Sequence, residues 1–451
     1  MTTTPETLSP SAGPARQNPA AQARPQPRRV PADEPLPALC SMAIEVAPLP
    51  PERLLALGSE PVAAFIAPGG DAWVGLGIAR CPGRDAHAVS RLWSALRDDS
   101  PDAPAPVALG ALPYRADELP DALWQGLLPA GLVLPERLYL QHGGRAWWRL
   151  TLPLDQAGTL RARLAQQTRA LAALAADETL PLTAALPLAE GDGPERYAQA
   201  VTRAVQRIRE GELVKVVLAR RGAVAFDAPP APAAVLHRMG QGHPDCVRYA
   251  WQRGGKSWLG ATPETLVRLD GRVLRTEALA GTRPAARAAE LLASAKDLHE
   301  HAIVVDAIRR AIAPLALSLP EAQPPVIRAL RGLAHLHTSI QATLHDRVDF
   351  LRLVHALHPT PAVCGLPVAS AAALLADLER EPRGLYAGPF VRLSACGDGH
   401  AVVSLRGLVL DGRQAVFPAG AGIVEGSEGE AELAETRLKQ QVVLDALCGA
   451  A

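Results

Sequence analysis

Apolar positions fall into short period-two runs and into faces repeating every 3.6 residues, and the two patterns alternate along most of the chain. Residues 61–67 and 72–79 flank Pro68-Gly-Gly-Asp71, which predicts a β-hairpin. Residues 85–97 place Ala88, Leu92, Trp93 and Leu96 on one helical face, and strands are expected at 107–112, 132–134, 137–140 and 146–152. Residues 156–176, rich in Ala, Leu, Arg and Gln, predict a strong helix. Trp147 and Trp148 are adjacent in a strand and so face opposite ways, which predicts core and edge packing rather than a platform for a ligand. Nothing in this half has the composition of a reactive site.

A polar stretch at 187–194 separates the halves. Beyond it Tyr197, Val201, Val205 and Ile208 mark an amphipathic helix stopping at Gly211. Strands are expected at 212–220, 258–266 with a turn at Thr262-Pro263, 274–282 ending in a small-residue turn, and 333–344. One long helix is expected at 290–312, with others at 348–357 and 369–379, an extended turn at His358-Pro-Thr-Pro361, and strands reaching 410. Pro418-Ala-Gly-Ala-Gly-Ile-Val-Glu-Gly-Ser427 reads as a backbone turn whose glycines allow close approach to a ligand, followed by a helix from Glu428.

Composition narrows the function classes. The 451 residues carry 46 Lys and Arg against 46 Asp and Glu, so no global field favours nucleic acid or an anionic membrane, and anion recognition must be local. The 6 cysteines are scattered without metal-ligand spacing, which reads as reduced thiols in a cytoplasmic protein. No run approaches the roughly 18–20 apolar residues of a bilayer span, and the N-terminus lacks an apolar signal core. Residues 1–38, rich in Pro and Ala, cannot bury enough surface to offset their ordering entropy and are expected to be a disordered tail.

Local chemistry concentrates in the second half. Lys215 shares a strand face with Val217 and Ala219; a lysine there is costly unless paired or used, and burial favours the uncharged amine that a base needs. Gly281 and Thr282 offer an amide and a hydroxyl to a carboxylate. On the helix, Glu300 is the candidate metal ligand and neighbouring His301 diverges from it. His335 and His337 share a strand face, but no third ligand follows at zinc-site spacing. Arg406 is suited to a bidentate clamp on a carboxylate. Glu432, Glu435 and Lys439 fall on one helical face, where the carboxylates suit Mg²⁺ and the lysine with bare backbone amides suits an anion. These residues imply an anionic small molecule whose charge is bridged by a metal.

The ordered blocks Lys215-Val-Val-Leu-Ala-Arg220, Gly260-Ala-Thr-Pro-Glu264, Ala278-Leu-Ala-Gly-Thr282, Lys296 to His301, His358-Pro-Thr-Pro-Ala362, Tyr386-Ala-Gly-Pro389, Ser404-Leu-Arg406 and Gly420-Ala-Gly-Ile-Val424 with Glu432, Glu435 and Lys439 resemble the chorismate-binding enzymes over residues 190–448. That resemblance implies an α/β (α+β) fold of two packed, mainly antiparallel sheets flanked by helices, with 39–186 an N-terminal subdomain and 187–451 the catalytic region. Within the family the chain resembles the isochorismate synthases, with Lys215 as base for water attacking C2 and Glu264 as acid at the C4 hydroxyl. The carry-over gives Glu300 and Glu435 as Mg²⁺ ligands with Glu432 behind them. It also gives Gly281, Thr282 and Lys439 at the ring carboxylate, and Arg406 with the Gly420, Ala421 and Gly422 amides at the enolpyruvyl carboxylate. Ala362 and Tyr386 complete the substrate contacts.

The implied substrate is chorismate, the expected state a monomer without an amidotransferase subunit, and the product a feed for menaquinone or siderophores. Salicylate synthases resemble a pattern with Thr where this chain has Ala362. Aminating relatives carry Pro-Ile-Ala-Gly-Thr where this chain has Ala278-Leu-Ala-Gly-Thr282. A non-catalytic chorismate binder is the reading from another class. Two departures stand out: a shortened surface loop at 283–287, and Phe390-Val-Arg392 where the family has Val-Gly-Tyr or Val-Gly-Trp, which bears on the floor of the site.

Overall fold

The computed structural model describes residues 38–58, 60–175, 193–330, 332–346 and 348–448. The expected tail up to residue 37, and residues 187–192 of the polar separator, lie outside the described residues.

Two large sheets, of twelve and ten strands among the described residues, carry the chain. All their described pairings are antiparallel except Leu39–Val46 with Leu96–Asp98. The halves of the sequence interleave: Val62–Ile66 pairs with Val247–Arg253, and Val107–Ala111 pairs with Pro389–Ser394. Period-two alternation explains how one strand serves two cores. Ala63 and Phe65 join Tyr249, Trp251, Trp258 and Phe390 between the sheets, whereas Val62, Ala64 and Ile66 face the helices behind the larger sheet. Trp147 and Trp148 likewise face opposite ways, but the edge packing expected of one of them is corrected: Arg145–Pro153 is paired on both sides, and both rings are buried, one in each core. Each buried aromatic removes about 150–250 Å² of surface from water.

The hairpin Val62–Ile66/Ala72–Leu76 forms as expected. The amphipathic helix Pro194–Arg209 buries Tyr197, Val201, Ala204 and Val205. No helix among the described residues is long and apolar enough to cross a membrane.

Five expectations are corrected. The strand predicted at 212–220 is Lys215–Ala225, so Lys215 opens it. The single helix at 290–312 is two, Glu290–Ala293 and Ala295–Ile312, because Ser294 is extended and its side chain caps the second by accepting from the Asp297 N–H. The small-residue turn at 281 is a bulge within the continuous strand Val273–Pro284, taken up by Gly281 at φ 72°. The run to 410 is broken: Gly399–Val403 belongs to the smaller sheet and Gly407–Asp411 to the larger. The glycine-rich turn at 418–423 is the end of a strand, Gln414–Ile423, paired with Lys215–Ala225.

Two crossings between the sheets make the site possible. Lys256–Thr262 crosses from the larger to the smaller sheet through Pro263-Glu264 into Thr265–Asp270, and Gly399–Val403 crosses back through Ser404-Leu-Arg406. The crossings are tied together, since the Val403 N–H donates to the Glu264 carbonyl at 3.1 Å and the Ala261 N–H to the Arg406 carbonyl at 3.3 Å. A chain leaving a sheet loses ladder partners, and its polar groups then turn to side chains and ligands.

Candidate active site

One cavity collects Lys215, Glu264, Gly281, Thr282, Glu300, Ala362, Tyr386, Arg406, Gly420, Gly422, Glu435 and Lys439. With its mouth, which is open to solvent, it spans about 730 Å³.

Lys215 is 1% exposed, and its Nζ lies 2.8 Å from Glu300 Oε1. The lysine is therefore paired and not on an open edge. Burial pushes the Glu300 carboxyl up, but Lys215, Lys439 and Lys296 together hold it below its ordinary value. Gly422 makes room for this pair. A Cβ there would overlap the Glu300 carboxylate and stand 3.1 Å from Lys215 Cε. The glycine is needed for space rather than for a turn.

Glu264 sits at the crossing between the sheets. Its N–H donates to Thr262 Oγ1 at 3.2 Å. No cation forms an ion pair with its carboxyl among the described residues. Burial first, and the charge of Glu277 second, push this carboxyl up to about 8, against the opposing pull of Lys215, Lys439 and Arg406. It thus keeps its proton at neutral pH, as a proton donor must.

The helix Gly429–Cys448 brings Glu435 and Lys439 to the cavity. Lys439 Nζ lies 2.7 Å from Glu435 Oε1 and donates to the Gly420 carbonyl at 2.8 Å. Glu432 is buried behind the cavity wall, 3.0 Å from Lys296 Nζ. Burial and the neighbouring Glu435 raise the Glu432 carboxyl. Glu300, Glu432 and Glu435 thus each hold a lysine, and the cavity is lined by the first and the last of them. Among the described residues no three His, Cys, Asp or Glu side chains could hold a metal ion by themselves. Mg²⁺ does not need such a cage, because it keeps several waters and takes one or two carboxylates with ligand oxygens. The hard oxygen donors here fit that requirement.

Arg406 has φ 52°, the left-handed region, which follows from the crossing it occupies. Its guanidinium donates to the Lys439 carbonyl at 3.5 Å and lies 3.4 Å from His335 Nε2, with no carboxylate in ion-pair reach among the described residues. His335 is a cavity residue that sequence reasoning missed: its Nδ1 lies 3.1 Å from the Gly281 carbonyl and 3.2 Å from Thr282 Oγ1. Burial, then Arg406 and Lys439, hold this imidazole neutral, well below its ordinary value. His337 instead bonds Glu277 at 2.8 Å, so the two histidines serve different partners. His301 is buried against Thr338 Oγ1 at 2.8 Å and does not line the cavity.

The three residues expected to offer amides divide. The Val217 N–H donates to the Cys364 carbonyl and the Ala219 N–H to Glu379, so their partners Gly422 and Gly420 form non-hydrogen-bonded pairs whose amides face away from Lys215–Ala225. Ala421, opposite Leu218, has its amide in the ladder and does not line the cavity. Phe390-Val-Arg392 does not floor the cavity either. Phe390 packs between the sheets against Tyr249, and Arg392 lies over Trp73 in a separate cleft.

The family model described as chorismate binding enzyme matches residues 78–448. The chain is 36% identical over 344 residues to the salicylate biosynthesis isochorismate synthase of Pseudomonas aeruginosa, covering 72% of this chain and 70% of that protein. It is 36% identical over 270 residues to isochorismate synthase DhbC of Bacillus subtilis, covering 56% and 68%. Among solved structures, MenF, the menaquinone-specific isochorismate synthase from Escherichia coli, superposes with a TM-score of 0.76 at 27% identity, covering 91% of this chain and 95% of that one. The two-sheet architecture and the family match lead to one conclusion: this chain belongs to the chorismate-binding enzymes.

Proposed function

We propose that the protein is a Mg²⁺-dependent isochorismate synthase. The observation that carries the reading is one cavity holding a buried lysine, a buried carboxyl, and an arginine with no carboxylate in ion-pair reach among the described residues. A dicarboxylate such as chorismate would supply Arg406 with a carboxylate and would share Lys439 with Glu435. Lys215 takes a proton from the water that forms the new C2–O bond. Glu264 gives its proton to the C4 hydroxyl as the C4–O bond breaks, the double bonds shift, and water leaves. One water is consumed and one released, and solvent exchange resets both side chains. The Lys215–Glu300 ion pair must open first, because an ammonium has no lone pair to offer.

Glu300 and Glu435 would hold the Mg²⁺, supported by Glu432, and the ion supplies positive charge to the ring carboxylate. Gly281, Thr282 and Lys439 would bind that carboxylate, while Arg406 and the Gly420 and Gly422 amides would bind the enolpyruvyl carboxylate. Ala362 and Tyr386 shape the wall beside the ring. The relatives' names span salicylate and menaquinone biosynthesis, and the product proposed here feeds either route. The protein acts in the cytoplasm as a monomer without an amidotransferase subunit.

Incubating purified protein with chorismate and MgCl₂, followed by chromatography, should give isochorismate. Salicylate with pyruvate as main products would move the chain to the lyase branch. Anthranilate or aminodeoxychorismate on adding ammonium would move it to the aminating branch. Chorismate binding without turnover would leave only a binder.

A further inference from the structure

Glu277 does not line the cavity, yet it meets the crossing that carries Glu264. It lies on Val273–Pro284 opposite Ser339, with its side chain 14% exposed. Its Oε1 accepts the Thr265 N–H at 2.7 Å. Its Oε2 accepts from Arg328 Nη1 at 2.8 Å and lies 2.8 Å from His337 Nε2. Thr265 needs this partner for a local reason. The strand Thr265–Asp270 pairs with Val273–Pro284 only from Arg268 onward, and its register with Gly399–Val403 shifts between Thr265 and Val267. The residue after the proton donor therefore sits at an irregular end of its strand, and a side-chain carboxylate takes its amide.

We propose that Glu277 is a positioning residue for Glu264: one oxygen fixes the crossing through the Thr265 amide, and the other, held by Arg328 and His337, keeps a negative charge behind the proton donor. The inference rests on the functional reading above, since it names what prepares the acid of that reaction. Glu277 opposes the positive charges of Lys215, Lys439 and Arg406 at Glu264, and buried Tyr386 also faces that carboxyl. Arg328, on the strand Val326–Leu330 that pairs with Leu333–Leu344, tunes the effect from outside. His337 and Arg328 in turn hold Glu277 ionised, outweighing the opposite pull of burial. A group of fixed charge behind the donor raises the pH at which the donor stops working.

Two variants of the full chain separate charge from scaffolding. Glu277→Gln keeps an oxygen for the Thr265 amide and removes the charge. Arg328→Gln leaves the Glu277 charge less compensated. Each is assayed with chorismate and MgCl₂ for kcat/KM across pH, with circular dichroism as the check on folding. The alkaline limb should move down by about one pH unit in Glu277→Gln and up in Arg328→Gln. A merely structural role would lower activity at every pH without moving the limb. Limbs that stay in place, or that move the same way in both variants, overturn the proposal. If Glu277→Gln does not fold, an alkaline limb that fails to rise in Arg328→Gln overturns it alone. A wild-type protein that makes no isochorismate at any pH refutes the functional reading instead. The inference is then judged by the pH at which Glu264→Gln gains stability in the wild-type and Arg328→Gln backgrounds, and an unchanged pH overturns it.

Discussion

Replacing Glu264 by Gln tests the electrostatics of the proposed acid without any turnover. The carboxyl rises from an ordinary 4.5 to about 8 in the folded protein, first because it is buried and second because Glu277 faces it. A raised folded value means that the folded chain binds this proton more tightly than the unfolded chain. Its stabilising contribution is complete below the ordinary value and is lost as pH climbs through the folded value. At 1.36 kcal/mol per unit, the ionisable group costs the fold about 4 kcal/mol at pH 8 and less than about 1 kcal/mol at pH 5. Gln has a similar shape and no ionisation. Glu264→Gln should therefore be more stable than wild type by an amount that grows across this window, while losing activity about 100- to 10,000-fold at every pH. Urea denaturation of substrate-free protein at pH 5 and pH 8 reads the difference. A gain equal at both pH values, or a loss growing with pH, would refute an acid held protonated by its surroundings.

Three further outcomes follow from the same geometry. Lys215→Ala should abolish turnover and, by leaving the Glu300 carboxylate buried without its cation, destabilise the fold by roughly 3–5 kcal/mol; the Lys215→Ala/Glu300→Gln double variant should recover much of that loss in thermal melts. Gly422→Ala should fold by circular dichroism yet lose at least about tenfold in kcat/KM, because its methyl group displaces the Lys215–Glu300 pair. Arg406→Lys should raise KM for chorismate at least about tenfold while barely altering the melting temperature, since the guanidinium makes no ion pair among the described residues.

Much of this arrangement was legible in the residues, for identifiable reasons. Period-two alternation is local, so the opposite facing of Trp147 and Trp148 and the hairpin at 62–76 could be read without any partner strand. The clustering of Lys215, Glu264 and Lys439 in one cavity followed from ordered motifs rather than periodicity. The break at Ser294 was also available, because a serine three residues before Asp297 has the spacing of a helix start. Nonlocal geometry was hidden. Gly422 is a strand glycine whose reason lies in Glu300, more than a hundred positions away. The left-handed conformation of Arg406 exists because the chain changes sheets there, and no local composition encodes that. His335 reaches the cavity only through its register opposite Thr282. Ala421 was grouped with its neighbouring glycines by sequence proximity, although alternation along the strand puts its amide in the ladder.

The most direct measurement is the origin of the new hydroxyl. Chorismate converted with MgCl₂ in ¹⁸O-labelled water should yield isochorismate carrying the label on the C2 oxygen, because Lys215 activates a solvent molecule while Glu264 releases the old hydroxyl. Unlabelled isochorismate, its C2 oxygen inherited from the substrate's C4 hydroxyl, would contradict the assignment of base and acid to these two side chains.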